Sequence, residues 1–265
     1  MLKTDSTFKD SAEQLEERAK HIDMWSWKYH GGLLHGSNVS ESSDIHKRTK
    51  VAMFDMDGTL IHGKSGDSDG KPLDENDWIW YDKEKVPSKL KAYFKNGYRI
   101  CIITNQKGIS TGKVTDYQIK KKIEIFVEEI CVPVQVFICS SDDEFRKPLP
   151  GAFNFIKENL MKPHGIEPDM QESFFVGDAA GRPKTAVAAK DFSDFDIKFA
   201  RNCGLKFFVP EEFFKGQDGW NDLKINLDLA ERNPFYDIYL KSNDKSQPLM
   251  HDFENPSDTK DILPS

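Results

Sequence analysis

The chain has 265 residues, of which 38% are apolar and 31% are charged, a composition typical of a globular protein with one sizeable core. No apolar stretch approaches the ~20 residues that a membrane-spanning helix needs, so we expect no membrane partner. The net charge of −7 is uneven, because residues 216–265 carry ten acidic and five basic residues and leave −2 for residues 1–215. The negative total therefore does not exclude a polyanionic partner, whose approach depends on the local field.

The beginning of the chain is expected to lie outside the main domain. Residues 1–24 are charged and lack the apolar core of a secretion signal, so they predict a helix or a mobile arm. Two glycines separate short apolar stretches at 25–28 and 33–35, and this pattern predicts a small hairpin. We divide the chain into an N-terminal arm with this hairpin at 1–48 and a main domain at 49–215.

The strongest local pattern is an apolar run that ends in two carboxylates, a glycine and a threonine. The run predicts a buried strand near 51–55, and Gly58 permits the sharp turn that ends it. Asp55 and Asp57 then lie at the carboxyl end of a central strand, where open α/β sheets place their chemistry. One carboxylate can attack phosphorus or bind a cation while the other moves a proton. The alternative is an ordinary turn built from Asp, Gly and Thr.

Later in the chain, three more polar residues complete this pattern. Thr104 follows a strand predicted near 98–103, and Asp178 follows one near 173–177. Lys147 lies between an arginine and a proline, just before a predicted helix. Carboxylate pair, hydroxyl, lysine and carboxylate together supply a nucleophile, a proton donor, ligands for phosphate oxygens and a divalent-metal site. The ordered set therefore indicates phosphoryl transfer more strongly than any one of its members.

Strands and helices alternate throughout the main domain. The remaining strands are predicted near 134–139 and 206–209, and helices are predicted near 87–96, 115–130, 149–161 and 194–203. This alternation predicts the α/β class, with a three-layer, Rossmann-like sandwich around a central parallel sheet.

The segments between the motifs are too short to hold a cap domain, meaning a further domain that closes over the site. Only 46 residues separate Asp57 from Thr104, and only 42 separate Thr104 from Lys147. The polar stretch at 64–82 can form a flap, beside which Trp78 and Trp80 are predicted to pack in the core. We therefore expect an open site, which suits the end of a macromolecule.

Two other patterns, a segment with two glycines and the cysteines and histidines, do not predict a binding site. The segment 108–115 is not a P-loop, because only three residues separate its glycines and Val114 follows the lysine, so no kinase activity is expected. The cysteines show no C-x-x-C spacing, and the histidines form no H-x-x-x-H pair, so a zinc site is not expected. We predict free, mostly buried thiols at Cys101, Cys131, Cys139 and Cys203.

The ordered motifs resemble the four motifs of the haloacid dehalogenase-like phosphatases. Longer stretches resemble the 3'-phosphatase domain of the polynucleotide kinase/phosphatase family and its stand-alone relatives, over about residues 25–214. Gly-Asp-Ala-Ala-Gly-Arg at 177–182 and Lys-Asp-Phe-Ser at 190–193 are the pieces specific to that branch. The other stretches that carry the resemblance are 54–61, 104–109, 146–148 and 210–214.

The resemblance implies a Mg²⁺-dependent phosphatase that removes 3'-phosphates from DNA ends in DNA repair. It implies that Asp55 attacks phosphorus, and that Asp57 donates a proton to the leaving oxygen and later activates water. Thr104 and Lys147 would bind the phosphate oxygens, and Mg²⁺ would be bound by Asp55, the backbone carbonyl of Asp57 and Asp178. The residues implied to contact the substrate are Met56, Asn105, Lys113, Arg146 and Arg182.

The resemblance also assigns supporting roles around the metal site. Arg182 and Asp196 would orient the loop that carries Asp178, with Asp191 or Asp194 as alternatives to Asp196. Relatives often carry a further basic residue at the position of Thr111, so the resemblance implies one fewer contact to the nucleic-acid backbone here.

The expected partners are DNA with 3'-phosphate termini and other repair proteins bound through residues 216–265, whose polar composition predicts partial disorder. We expect a monomer located in the nucleus, although the basic runs at 46–50 and 120–122 are weak import signals. Two alternatives remain open. One is a phosphatase of the same superfamily that acts on a sugar or histidinol phosphate, and the other is a non-catalytic protein that binds nucleic-acid ends.

Overall fold

The computed structural model describes residues 21–64, 75–184 and 190–216. The predicted arm at 1–20, part of the predicted flap and the polar tail from 217 lie outside the described residues. No helix among the residues that are described has both the length and the apolar character needed to cross a membrane.

A seven-stranded sheet forms the centre of the fold, in the order β1-β2-β7-β6-β3-β8-β9. Strands β3, β6, β7, β8 and β9 are parallel, and β1 and β2 join this sheet in antiparallel fashion at the β7 edge. A separate two-stranded sheet pairs β4 with β5. The strands are β1 Ile22–His30, β2 Leu33–Val39, β3 Lys50–Phe54, β4 Ile61–His62, β5 Ile79–Trp80, β6 Tyr98–Asn105, β7 Gln135–Cys139, β8 Phe174–Val176 and β9 Lys206–Phe208.

Six α-helices lie between or after these strands in the described parts of the chain. They are α1 Lys85–Lys95, α2 Lys107–Ser110, α3 Asp116–Ile130, α4 Gly151–Phe155, α5 Phe195–Cys203 and α6 Pro210–Lys215. Helix α4 continues as a π-helical stretch over Ile156–Met161, so the helix predicted near 149–161 is present with a change in winding. Helix α3 begins at a capping box, in which Thr115 and Gln118 satisfy each other's backbone N–H groups.

Alternate residues of the central strands pack on opposite faces of the sheet. On β3, Ala52 and Phe54 belong to one apolar cluster, whereas Val51 and Met53 belong to the other. The first cluster includes residues of α1, α3 and α6, and the second includes residues of α4 and α5. Two helical layers therefore enclose one sheet, which confirms the predicted three-layer α/β sandwich.

The predicted hairpin is longer than the sequence pattern indicated and is part of the main sheet. Its turn contains Gly31 in a left-handed conformation, with φ of 63°. Five residue pairs then connect β2 to β7, from Leu33 opposite Cys139 to Ser37 opposite Gln135. The boundary predicted between residues 48 and 49 therefore separates strands of a single sheet.

Two smaller predictions agree with the structure. Trp80 is buried in the first apolar cluster, and Trp78 packs against that cluster. The centroid of the Phe126 ring lies 5.8 Å from that of Trp78 and 5.7 Å from that of Trp80. All four cysteines are free, and three of them are buried. Burial raises the pKa of the thiols of Cys101 and Cys139 to about 12, so these thiols remain protonated at neutral pH.

Candidate active site

The predicted nucleophile lies at the point where β3 ends. The backbone N–H of Asp55 donates to the carbonyl of Val176 at 2.8 Å, so the ladder between β3 and β8 extends to this residue. Gly58 then turns the chain with φ of 84°, a conformation that favours glycine. A Cβ atom on Gly58 would lie 2.4 Å from Oδ2 of Asp178, so glycine also makes room for this second carboxylate.

Lys147 binds two of the site's carboxylates from within the protein. Its Nζ lies 2.6 Å from Oδ1 of Asp55 and 2.7 Å from Oδ1 of Asp196, and its side chain is only 2% exposed. Burial by itself lowers the pKa of Lys147, but attraction to Asp196 and Asp55 outweighs it and raises the pKa above its usual value. The lysine is therefore a permanent positive charge beside the predicted nucleophile.

The backbone of Lys147 is held by the side chain of Asn105. The Asn105 amide donates to the carbonyl of Lys147 at 3.1 Å and accepts the Lys147 N–H at 3.0 Å. Because Asn105 ends β6, this pair of hydrogen bonds ties the lysine to the edge of the sheet. The sequence predicted a substrate contact for Asn105, but the structure shows both functional groups of its amide bonded within the protein.

Three carboxylates converge beside Lys147. Asp55, Asp178 and Asp196 each place one oxygen so that all three lie within 4.8 Å of one another. Burial raises the pKa of Asp55 despite the opposing charge of Lys147, and burial together with the Asp196 charge raises that of Asp178 to about 7. One lysine does not neutralise three carboxylates, and oxygen ligands suit hard cations. The cluster therefore fits a divalent cation, as the sequence predicted in part through Asp55 and Asp178.

The loop after Asp178 is fixed by two of the three candidate aspartates. Asp196 accepts the N–H of Ala179 at 3.1 Å, in addition to its ion pair with Lys147. Asp191 accepts the N–H groups of Ala180 and Arg182, at 3.1 and 2.9 Å. Asp194, the residue just before α5, instead pairs with Lys198 of that helix, at 3.2 Å. The sequence named Asp196 and offered the other two as alternatives, whereas the geometry gives this role to both Asp196 and Asp191.

Asp57 lies on the open side of the site and is bound by Gln106. Nε2 of Gln106 donates to Oδ2 of Asp57 at 2.6 Å and to Oγ1 of Thr104 at 3.0 Å. Asp57 is exposed to solvent. Desolvation by the protein around its carboxyl group nevertheless raises its pKa, and the charge of Lys122 and the Gln106 hydrogen bond oppose this rise. A carboxyl group with a raised pKa is suited to donate a proton.

The predicted substrate-binding residues fall into three groups. The side chain of Met56 is fully buried, so only its backbone amide can meet a ligand. The Arg182 guanidinium donates to Asp191, Glu211 and the carbonyl of Asp178, so its hydrogen bonds are made within the protein. Arg146 pairs with Asp142 at 3.1 Å, and Lys107 binds the same carboxylate. Lys113 is exposed.

Sequence analysis did not identify two residues near Asp57. Gln106 lies in a stretch that carries the family resemblance, but an amide after a strand gives no indication of which side chain it will contact. Lys122 belongs to a run of three lysines that resembles a solvated surface, yet its side chain is buried and its charge acts on Asp57. The helical position of Lys122, three residues after Ile119 and one before Ile123 on the buried face, was the available indication.

Comparison with known proteins matches the part of the chain that contains the site to one protein family. A family model described as polynucleotide kinase 3 phosphatase matches residues 50–214. The bifunctional polynucleotide phosphatase/kinase of Schizosaccharomyces pombe is 36% identical over 178 residues, which cover 67% of this chain and 40% of that protein. The polynucleotide 3'-phosphatase ZDP of Arabidopsis thaliana is 37% identical over 192 residues, which cover 66% of this chain and 25% of that protein.

A third relative is close to this chain in extent. It is an uncharacterized 20.8 kDa protein of Autographa californica nuclear polyhedrosis virus, 36% identical over 188 residues that cover 70% of this chain and 92% of the viral protein. The chain thus spans less than half of the fission-yeast and plant relatives but nearly all of the viral one. All of the site residues described above lie inside the segment that the family model matches.

Proposed function

We propose that this chain, which belongs to the polynucleotide kinase 3 phosphatase family, is a phosphoric monoester hydrolase that removes 3'-phosphates from the ends of DNA. The observation that carries the proposal is the position of Lys147 between Asp55 and Asp196, at the end of a parallel sheet and beside Asp178. This arrangement provides a nucleophilic oxygen, a fixed positive charge and a cation site within one cluster.

The first chemical step transfers the phosphoryl group to the protein. An oxygen of Asp55 attacks phosphorus, and the bond from phosphorus to the 3'-oxygen breaks. The proton of the Asp57 carboxyl moves to that leaving oxygen, so the nucleic acid departs with a 3'-hydroxyl group. We assign Thr104 and Lys147 to bind the non-bridging oxygens of the transferred group.

The second step releases phosphate and restores the site. Asp57, now ionised, takes a proton from a water molecule, whose oxygen attacks the phosphorus of the aspartyl-phosphate. The bond between phosphorus and the Asp55 oxygen breaks, and the carboxylate of Asp55 is regenerated. Two differently placed carboxylates therefore perform nucleophilic and proton-transfer chemistry without exchanging roles.

We assign Mg²⁺ as the divalent cation of the site. The residues that would bind it are Asp55 and Asp178, through carboxylate oxygens, and Asp57, through its backbone carbonyl. Asp196 lies in the same cluster but is already bonded to Lys147 and Ala179, so we assign it a supporting role. When bound, the cation supplies positive charge that offsets the negative charge of the phosphate and of the cluster.

Selectivity for a polymer end follows from the openness of the site. Between β4 and β5, which pair with each other, the chain has only 16 residues from 63 to 78, too few for a cap domain. Contacts beyond the phosphate must therefore come from residues on the loops around the site, for which we propose Lys113 and Arg146. We propose in addition that the nucleic acid is DNA, that the protein acts in the nucleus and that the polar residues 216–265 recruit repair proteins.

A substrate panel tests the proposed function. Phosphate release should be measured with Mg²⁺ on one oligonucleotide carrying either a 3'-phosphate or a 5'-phosphate, and on histidinol phosphate and a hexose phosphate. The 3'-phosphorylated strand should have the highest kcat/KM, excess EDTA should abolish its turnover, and Asp55→Asn should remove it in every case. Preference for a small phosphate would favour the small-molecule alternative, and absence of all turnover would favour a non-catalytic end-binding protein.

A further inference from the structure

Among the hydrogen bonds that the structure gives for the described residues, the Asp57 carboxylate has one, and its donor is Gln106. The distance from Nε2 of Gln106 to Oδ2 of Asp57 is 2.6 Å, and the same nitrogen donates its second hydrogen to Oγ1 of Thr104 at 3.0 Å. One amide group therefore connects the proton-transfer residue to a residue that binds phosphate.

Two hydrogen bonds hold the backbone of Gln106 in place. Its N–H donates to the carbonyl of Cys139 at 2.8 Å, one residue beyond the end of β6, and its carbonyl accepts the N–H of Ile109 at 3.1 Å. The residue is partly buried and directly precedes helix α2. A side chain held at both its base and its amide end loses little further freedom when it orients a neighbour.

We propose that Gln106 is a positioning residue that holds the Asp57 carboxyl group towards the leaving oxygen of the substrate. The proposal rests on the proposed function, and it assigns the positioning of the proton donor to the hydrogen bond from Gln106 to Asp57. The adjacent residue, Asn105, provides a natural comparison, because its amide holds Lys147 instead. Consecutive residues at the end of β6 thus position the proton donor and the phosphate-binding lysine separately.

This division has a consequence that depends on the leaving group. A 3'-oxygen is a poor leaving group and needs a proton as its bond to phosphorus breaks, so the placement of Asp57 matters. A nitrophenolate is stable as an anion and leaves without that proton. Both substrates need Lys147 equally, because both transfer the same phosphoryl group to Asp55. Thr104 is held within β6 whether or not Gln106 donates to it, so loss of Gln106 should act mainly on the first substrate, whereas loss of Asn105 should affect both.

The test compares kcat/KM, which reports the first phosphoryl transfer, for a 3'-phosphorylated oligonucleotide and for nitrophenyl phosphate. Gln106→Met keeps the shape of the side chain and removes the donor. We expect kcat/KM for the oligonucleotide to fall by about tenfold or more, and that for nitrophenyl phosphate to stay within about twofold. Asn105→Ala should lower both values by similar factors. Equal losses for Gln106→Met, or no loss on the oligonucleotide, would overturn the proposal.

A double variant separates positioning from general damage to the fold. In an Asp57→Asn background there is no proton donor left to position, so adding Gln106→Met should cause no further loss on the oligonucleotide. An additive loss would show that Gln106 does not act through Asp57. If Gln106→Met does not fold, Gln106→Ala removes the donor without adding a charge and should show the same selective loss.

Failure of this inference can be distinguished from failure of the proposed function. If the wild-type protein prefers a sugar or histidinol phosphate to the 3'-phosphorylated strand, the proposed function is wrong. The same ratio can then be measured with that alkyl phosphate, whose leaving oxygen needs a proton in the same way. A selective loss there still supports the role of Gln106, and equal losses still contradict it.

Discussion

A buried cation lies towards each end of the central sheet, Lys147 at one end and Arg99 at the other, and the partners of the two differ in charge. At the carboxyl end, Lys147 lies between two carboxylates with a third beside them. At the amino end, Arg99 is fully buried, and the hydrogen-bond acceptors of its guanidinium are the amide oxygen of Gln135, at 2.8 Å, and the carbonyl of Ile45, at 2.9 Å. Burial therefore lowers the pKa of Arg99, whereas the pKa of Lys147 is raised.

This difference separates a reactive end of the sheet from a structural one. Two nitrogens of the Arg99 guanidinium donate to neutral oxygens, and its Nε has no partner among the described residues. Three carboxylates around one lysine leave excess negative charge, which favours binding of a cation or a proton. The cost of burying a cation is thus offset by neutral oxygen acceptors at one end of the sheet, and by carboxylates in excess of the cation at the other end.

Lys147→Met should break the reactive end. It preserves much of the side chain's volume but removes the positive charge beside Asp55, so the transferring phosphate loses an electrostatic partner. We expect kcat/KM to fall by about a hundredfold or more on both oligonucleotide and aryl phosphate. Retention of more than about a tenth of wild-type activity would contradict the role of Lys147.

Arg99→Met should instead affect stability alone. The substitution leaves the oxygens of Gln135 and Ile45 without their donor, which should reduce the free energy of unfolding by about 1–3 kcal/mol. Urea unfolding measures this change, and kcat/KM of the folded variant should remain within about twofold of wild type, since the residue has no part in transition-state binding. A large loss of turnover with unchanged stability would mean that the amino end of the sheet is not purely structural.

The excess charge at the reactive end should appear in the pH dependence of stability without a cation. The pKa of Asp178 is about 7 in the folded protein and 3.8 in the reference state, so the folded state binds the proton more tightly. The resulting stabilisation is complete below pH 3.8 and is lost as the pH rises through about 7.

Between pH 5 and pH 8, we expect the metal-free wild type to lose on the order of 1–2 kcal/mol relative to Asp178→Asn. Saturating Mg²⁺ should reverse the loss at pH 8, because the cation replaces the proton as the partner of the carboxylate. Parallel pH profiles for the two metal-free proteins would contradict the charge cluster as described.

The smallest expected effect concerns the surface around the reactive end. Lys113→Ala should reduce affinity for a 3'-phosphorylated single strand by a few-fold, and should reduce the slope of log affinity against log salt by about 0.7. Lys95→Ala is a matched control, because Lys95 is an exposed lysine at the end of α1, just before β6 begins. Equal effects of the two substitutions would remove Lys113 from the nucleic-acid contact.

The sequence predicted the reactive end better than the contacts within it. Apolar runs identified the strands, and polar residues at their ends identified Asp55, Thr104 and Asp178, because strand order and side-chain chemistry are local properties. The contacts of Gln106 and Asn105 depend on residues 49 and 42 positions away, so no local pattern indicates them.

Two further features could not be predicted from the sequence for the same reason. Arg99 interrupts an apolar strand, and only the tertiary structure shows that Gln135 and Ile45 accept hydrogen bonds from it. The hairpin was predicted, but its position in the main sheet depends on pairing between β2 and β7, about a hundred residues apart. Non-local pairing therefore accounts for what the sequence could not predict, both in the fold and in the site.

Detection of phosphate on Asp55 is the most direct test of the central claim, that the reactive end performs covalent phosphoryl transfer. Asp57→Asn with nitrophenyl phosphate should still form the aspartyl-phosphate, because this leaving group needs no proton, but should hydrolyse it slowly. We predict a burst of one nitrophenol per protein molecule, and mass spectrometry should locate one phosphoryl group on the peptide that contains Asp55. Asp55→Asn should give neither. Steady turnover by Asp57→Asn without any protein-bound phosphate, or a phosphoryl group on another residue, would contradict the account.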